Sequence, residues 1–199
     1  MSLNIRKSAI EIRETVLTNI YHMLIDRKYL KMNKETLTTL QKKVTNESVS
    51  FSSDHDFPYN IHVKFLSETN IGKKQNLVKL LDYTNKLNHY ILIIIDKKIS
   101  KFLKDFKRIS NIEIFEYEEL YMNVTDHILV PKHTILNKED SEKLLIQYNC
   151  KLEQLPKILK TDRIARHYNM KIGNICKIDR YSEVTGKSIS YRQVVNAIN

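Results

Sequence analysis

The sequence predicts an α/β N-terminal domain, a mixed sheet with flanking helices, over residues 1–126, followed by a small α+β domain over 127–199. Three observations lead there. A strand, a helical pattern and the run HYILIIID follow one another between Ile61 and Asp96, and the β-branched richness of that run marks a strand buried on both faces. After Asp126 the order changes to strand, two short helices and a hairpin, each with its own start and stop signals. Between the two regions lies the polar stretch Asn123 to Asp126, read as a short linker.

The first element is an amphipathic helix. Ile5, Ala9, Ile12, Val16, Ile20 and Met23 recur at helical spacing and form one apolar face. A second helix is expected from Asn33, whose side-chain oxygen can cap the amides that follow. Serines, Asp56 and Pro58 mark a loop from about Asn46 to Asn60. Ile61 to Leu66 alternates as a strand, with Ile61, Val63 and Phe65 on one side and His62 and Lys64 on the other.

Asn70 to Lys74 reads as a turn into a helix carrying Leu77, Leu80, Leu81, Thr84 and Leu87 on one face. The buried strand from His89 to Asp96 then implies a parallel pair joined by a right-handed crossover. A further helix is expected at about Ser100 to Arg108, then a strand at Ile112 to Phe115 and a short helix at Glu118 to Met122.

In the second domain, Leu129 to Leu136 reads as a strand interrupted by Pro131. Proline donates no ladder hydrogen bond, so an edge position is expected. Asn137, with Asp140 three residues on, can cap a helix that turns Leu144, Leu145 and Tyr148 inward. Asp162 can cap a second helix bearing Ile164, Ala165 and Tyr168. Strands at about Ile175 to Tyr181 and Ser188 to Val195 flank Thr185-Gly186, where glycine supplies the positive φ of a tight turn.

Composition narrows the function classes. At 199 residues with 42% hydrophobic side chains, the chain can bury one large or two small cores. Its net charge of +10 suits a polyanionic partner. Lys and Arg exceed Asp and Glu by 20 to 15 before Thr125 and by 13 to 8 from it onward, so each part carries +5 and no single tail explains the basicity. Cys150 and Cys176 lie outside any C-x-x-C spacing, which argues against a disulfide framework or cysteine-rich zinc site and for a reducing compartment. The longest apolar run, Tyr90 to Ile95, is far too short to cross a bilayer, so a soluble, unexported chain is expected.

Catalytic signatures are weak. H-E-x-x-H, G-x-S-x-G and a phosphate-cradling glycine loop are all absent. His127 and His133 flank Leu129-Val130-Pro131 without the carboxylates a metal set would need. Asp56-Phe57-Pro58 followed by His62-Val63-Lys64 has the outline of a nuclease D-(D/E)-x-K motif, in which two carboxylates hold Mg²⁺ and a lysine positions water. His62 stands where the second acid is required, so no Mg²⁺-dependent cleavage, no cofactor and no catalytic residue are expected. The segment KKISKFLKDFKR, Lys97 to Arg108, spaces its cations helically after a strand's carboxyl end. It can approach phosphates, or simply keep a helix face solvated.

The last third carries a more specific pattern. LVPKH (Leu129 to His133), QLP (Gln154 to Pro156), SE-x-TG (Ser182 to Gly186) and SYR (Ser190 to Arg192) occur in order. This region resembles the fifth subunit shared by the eukaryotic nuclear RNA polymerases and the H subunit of archaeal polymerase. Ile5-Arg6-Lys7, Asp26-Arg27-Lys28-Tyr29-Leu30, Ile71-Gly72-Lys73-Lys74 and Leu120 to Lys132 are similar to the opening helix, D-R-G-Y-L, V-G-x-K and L-x-x-N-I-T-x-H-E-L-V-P of the eukaryotic two-domain form.

The resemblance implies a non-catalytic subunit of a multi-subunit DNA-directed RNA polymerase. Its C-terminal domain would dock on the largest subunit through motif residues such as Pro131, Lys132, His133, Pro156, Tyr191 and Arg192. Its N-terminal domain would lie in the lower jaw near downstream duplex DNA, with Lys97, Lys98, Ser100, Lys101 and Lys104 touching the duplex. Ser100-Lys101 replaces the family's Thr-Pro there, Thr69 replaces the proline of its E-P-x-V-G loop, and Arg163 replaces a proline after the capping aspartate. The implied partners are other polymerase subunits and DNA, with no membrane and no small-molecule substrate. The setting is a nucleus or, for a diverged copy in a large DNA virus, a cytoplasmic factory and virion. A free-standing basic nucleic-acid-binding protein is the alternative.

Overall fold

In the computed structural model the described residues are 8–33, 48–52, 58–66, 89–95, 111–182 and 186–196. They fall in two compact units, Met1–Met122 and Asn123–Asn199. Among the described residues no helix is long and apolar enough to cross a membrane.

The first unit opens with helix α1, Ala9–Asp26. Ser8 caps it reciprocally: the Glu11 amide donates to Ser8 Oγ at 3.3 Å and the Ser8 amide donates to Glu11 Oε2 at 2.7 Å. Val16, Ile20 and Met23 are buried as their spacing predicts, and Leu17, Tyr21 and Leu24 widen the stripe. Ala9 lies exposed in the first turn, so the buried face begins later than the periodicity suggests.

Strands β1 (Ser48–Phe51), β2 (Asn60–Leu66), β3 (His89–Ile95) and β4 (Ile112–Glu116) form a mixed sheet in that order. β1 runs antiparallel to β2, while β2–β3 and β3–β4 are parallel. This mixed sheet with a packed helix is the α/β arrangement expected. β1 falls within the segment expected to be loop. Its Ser-Val-Ser-Phe alternation buries only Val49 and Phe51, and pairing with β2 outweighs the weak intrinsic tendency of serine.

Ile61, Val63, Phe65, Tyr90, Leu92 and Ile94 pack with α1 in one apolar cluster. Ile91, Ile93 and Ile95 alternate to the opposite face and are also fully buried, which is why this strand is apolar throughout. The short helix after β4 is Tyr117–Leu120 (α2), one residue earlier than expected, and the Glu116 amide at its start donates to Glu119 Oε2 at 3.2 Å. Asn19 Nδ2 of α1 donates to the Leu120 carbonyl at 2.8 Å, tying α1 to the end of α2. The helices expected from Asn33, after Gly72 and at Ser100 to Arg108 lie outside the described residues, apart from Asn33 itself.

The segment Asp26 to Leu30 is a structural clip. Arg27 caps α1 and sends its guanidinium to the Glu113 carboxylate at 3.0 and 2.9 Å and to the Tyr90 hydroxyl at 3.2 Å. Tyr29 meets Tyr90 edge to face at 5.7 Å, and Leu30 is buried in the cluster. Lys28 takes a φ of 61° so that its amide reaches Ile25 O and the Tyr29 amide reaches Leu24 O, a Schellman closure.

The second unit is an α+β arrangement. Val124–Asp126, expected to be linker, forms a 3₁₀ turn capped by Asn123. Then come β5 (Lys132–Ile135), α3 (Lys138–Gln147), a 3₁₀ turn at Leu152–Gln154, β6 (Lys157–Leu159), α4 (Arg163–His167), β7 (Ile175–Ser182) and β8 (Gly186–Val195). The sheet order is β5-β7-β8-β6, with β5–β7 and β7–β8 antiparallel and β6–β8 parallel.

β5 is an edge strand, as expected, but it starts only after Pro131, and Leu129 and Val130 belong to the preceding turn. Both helix caps form as read: Asn137 Oδ1 accepts from the Asp140 amide at 2.7 Å and Asp162 Oδ1 from the Ile164 amide at 2.8 Å. Leu144 points inward, but Tyr148 is 57% exposed because the helix ends before it could be turned to the core. β6 has no counterpart among the expected elements. Three residues are too few to show alternation, and the strand exists because it pairs with β8. Ile158, Ile164, Ala165, Met170, Cys176, Ile178 and Val194 make the core of this unit.

Candidate assembly surface

The pairing register of the second sheet sorts its side chains onto two faces. One row joins Ile135, Cys176 and Arg192, and another joins His133, Ile178 and Ser190. Cys176 and Ile178 are core residues, so these rows face α4 and the core. The alternating rows, Thr134-Lys177-Tyr191 and Lys132-Asp179-Ile189, face outward.

The residues expected to share one assembly surface are therefore divided. Lys132 and Tyr191 lie on the outer face, whereas His133 and Arg192 lie on the core face. Pro131 and Pro156 precede the two edge strands. Pro156 is exposed, and its carbonyl accepts from the Gln193 amide at 2.7 Å, so its backbone helps to set the β6–β8 pairing.

The outer face mixes exposed apolar side chains with Lys132, Lys177, Asp179 and Lys187. Tyr181 is 77% exposed and Ile189 54%, and Lys177 forms an exposed ion pair with Asp179 at 3.2 Å beside them. Tyr148, leaving the end of α3, meets Tyr191 edge to face at 5.9 Å. Exposed tyrosine and isoleucine side chains on a sheet face suit a protein-binding patch. Sequence reasoning names Tyr191 but misses Tyr148, Tyr181 and Ile189. Their signal is the polar-apolar alternation of β7 and β8, which cannot reveal that Tyr181 and Ile189 stay exposed.

On the core face, the His133 Nδ1–H donates to the Pro131 carbonyl at 2.6 Å. Burial pulls the His133 pKa below its usual 6.5, opposed by the Pro131 bond and by Asp162, and assisted by Arg192 and Arg180. Burial also pushes the Cys176 thiol up to about 11, against a hydrogen bond from the Thr134 backbone and the field of Arg192. Held protonated and buried, the Cys176 thiol is not poised as a nucleophile at neutral pH.

In the first unit, His62 Nδ1 lies 2.7 Å from Ser50 Oγ of the neighbouring strand. Asp56 lies outside the described residues, as do Lys97, Lys98, Ser100, Lys101 and Lys104. Among the described residues no group of three or more His, Cys, Asp or Glu is placed to hold a metal ion.

A family model described as RNA polymerase Rpb5, C-terminal domain, matches residues 122–194. The chain is 34% identical over 195 residues to DNA-directed RNA polymerases I, II, and III subunit rpabc1 of Dictyostelium discoideum, covering 94% of this chain and 96% of that protein. It is 47% identical over 77 residues to DNA-directed RNA polymerase subunit Rpo5 of Methanocaldococcus jannaschii, 39% of this chain and 99% of the relative. Subunit RPABC1 of Caenorhabditis elegans is 42% identical over 84 residues, 42% of this chain and 40% of the relative.

Proposed function

Because this chain belongs to the Rpb5 family of RNA polymerase subunits, we propose that it is a non-catalytic subunit of a multi-subunit DNA-directed RNA polymerase. In this reading residues 123–199 dock on the largest subunit, and the first unit lies in the jaw beside downstream duplex DNA. One observation carries the docking half: the match of 77 residues spans 99% of the archaeal subunit, a length that equals the whole second unit of this chain. A polymerase subunit can thus consist of little more than this unit. The outer sheet face carries Tyr148, Tyr181, Ile189 and Tyr191 as exposed or partly exposed anchors for such docking. Working within a polymerase, the protein would act in the nucleus or, in a viral copy, in a cytoplasmic factory and the virion.

The jaw half rests on the basic segment Lys97 to Arg108 and on the net charge of +10. Lys97, Lys98, Lys101 and Lys104 would meet phosphates, with Ser100 beside them.

The tagged full chain, expressed with the polymerase of its own source, should recover the largest subunit in stoichiometric amount, and Ile189→Asp should reduce that recovery. Recovery of nucleic acid without any polymerase subunit would favour a free-standing binder and defeat the docking reading. Replacing Lys97, Lys98, Lys101 and Lys104 by Ala should flatten the salt dependence of transcription-complex stability by up to about 0.9 in log-log slope for each phosphate no longer neutralised. An unchanged slope would return the segment to a solvated helix face.

A further inference from the structure

In the second sheet the hairpin of β7 and β8 outruns the strand beside it. β5 ends at Lys132, opposite Asp179, whereas β7 continues through Arg180, Tyr181 and Ser182, still paired with Ser188, Lys187 and Gly186 of β8. Before Lys132 the chain leaves the sheet, and the Val130 amide donates to the His127 carbonyl at 2.8 Å within a turn. Among the described residues, the end of β7 therefore has a strand on one side only.

Two hydrogen bonds fix which backbone groups this leaves open. The Leu136 amide donates to the Ile175 carbonyl at 3.0 Å, in the same register that sets Lys132 opposite Asp179. Bonding residues alternate along an antiparallel strand, so β7 turns Ile175, Lys177, Asp179 and then Tyr181 toward the β5 side. On the other side the Val194 amide donates to the Asn174 carbonyl at 2.9 Å, so Cys176, Ile178, Arg180 and Ser182 are the residues that bond to β8. Tyr181 thus directs both its N–H and its C=O along the line that β5 vacates, where no described strand meets them.

The side chains at this end are open as well. Arg180 and Tyr181 point to opposite faces and both are exposed, Tyr181 at 77%. Ile189, diagonal to Tyr181 on the outer face, is 54% exposed.

We propose that an extended segment of the polypeptide on which the second unit docks adds to β7 in the line vacated by β5, pairing with the Tyr181 N–H and C=O, with an apolar residue opposite Tyr181 and an Asp or Glu opposite Arg180. The inference rests on the docking reading and deepens it by naming the mode of contact. Strand addition needs a donor and an acceptor on one residue of the partner, which a polypeptide supplies and a phosphate backbone does not. Charge selects against a second copy of this chain: from Thr125 onward it carries 13 Lys and Arg against 8 Asp and Glu, so two such units repel. An acidic residue opposite Arg180 instead makes a favourable cross-strand pair.

The test compares Tyr181→Ala with Tyr181→Pro in the full chain, reconstituted with the polymerase of its own source. Alanine removes the ring and keeps the amide. Proline removes both, at no loss to the β7–β8 ladder, because the Tyr181 amide does not face β8. Tyr181→Pro should be retained about threefold to tenfold more weakly than Tyr181→Ala, the worth of one hydrogen bond, with the two free variants unfolding at the same urea midpoint. Hydrogen exchange of the unsubstituted chain, read at single amides, should show the Tyr181 amide slowed by about tenfold or more in the complex. Should Tyr181→Pro fail to fold, this exchange rate decides alone.

Equal retention of the two variants, with a Tyr181 amide that exchanges as fast in the complex as in the free chain, overturns strand addition and leaves docking intact. Self-association of the free chain that Tyr181→Pro abolishes would assign the edge to a second copy and also overturn the proposal. Failure of the unsubstituted chain to associate with any polymerase subunit removes the docking reading, and strand addition with it.

Discussion

Removing either partner of the Arg27–Glu113 pair should destabilise the first unit, and removing the carboxylate should do so more. The Arg27 side chain is 1% exposed and that of Glu113 19%, with the guanidinium bonded to both carboxylate oxygens at 3.0 and 2.9 Å. Breaking a buried pair by deleting one partner costs about 3–5 kcal/mol, because the other charge is left desolvated. Glu113→Gln strands an arginine that cannot lose its proton, so a loss near the upper end, about 4–5 kcal/mol, is expected. Arg27→Met strands a carboxylate with some access to water, so about 2–3 kcal/mol is expected, including the hydrogen bond that the Tyr90 hydroxyl forfeits.

The double variant Arg27→Met with Glu113→Gln leaves no buried charge at this position, and it should be more stable than Glu113→Gln alone. The pair coupling from the cycle should exceed about 1.5 kcal/mol. Urea unfolding followed by far-UV circular dichroism measures the losses, and hydrogen exchange of the β3 and β4 amides assigns them to the first unit. Single losses below about 1 kcal/mol that simply add would mean that water solvates the pair, and would refute the reasoning.

Other outcomes can be checked alongside. Lys28→Gly should raise the urea midpoint, since an L residue in the left-handed region costs about 1–2 kcal/mol and glycine returns part of it as chain entropy, for a net gain of up to about 1 kcal/mol. Asn149→Gly and Asn169→Gly, at φ values of 45° and 49°, should gain less because asparagine tolerates that region, and a loss at Lys28→Gly would contradict the Schellman assignment. Cys150 should react with an aromatic disulfide reagent in the native protein, while Cys176, buried and with its thiol pushed up to about 11, should react only in urea; equal native rates would defeat this. The lowered pKa of His133 means that the unfolded chain binds its proton first, so its contribution to stability is fully present above the unfolded value near 6.5 and is lost as pH falls toward the lowered folded value. His133→Asn should flatten the acid side of the stability profile of the second unit, and an unchanged profile would place the titration elsewhere.

Elements whose signal is local are legible in the chain. The capping side chains Asn137 and Asp162 start α3 and α4 because an oxygen two or three residues from an orphan amide needs no distant partner. The alternation of Ile61, Val63 and Phe65 and the continuous apolar run of β3 state their burial on one face and on two. β1 and β6 are not legible, because strands of four and three residues carry too short a pattern and owe their existence to neighbours distant in sequence. Tyr148 stays largely exposed against expectation because α3 ends at it, and helical spacing does not show how far the packing beneath a helix extends.

The amino-acid order alone determined the succession of elements, their caps and turns, the basic charge and the polymerase-subunit motifs, since each depends on near neighbours or on composition. Only the tertiary structure decided that Arg27 of the D-R-K-Y-L segment is a buried clip to Glu113, and that SYR splits Tyr191 from its neighbours Ser190 and Arg192 across two faces. Strand register sets these juxtapositions. A shift of one residue would exchange every one of them, and no local signal in the chain fixes which strands pair.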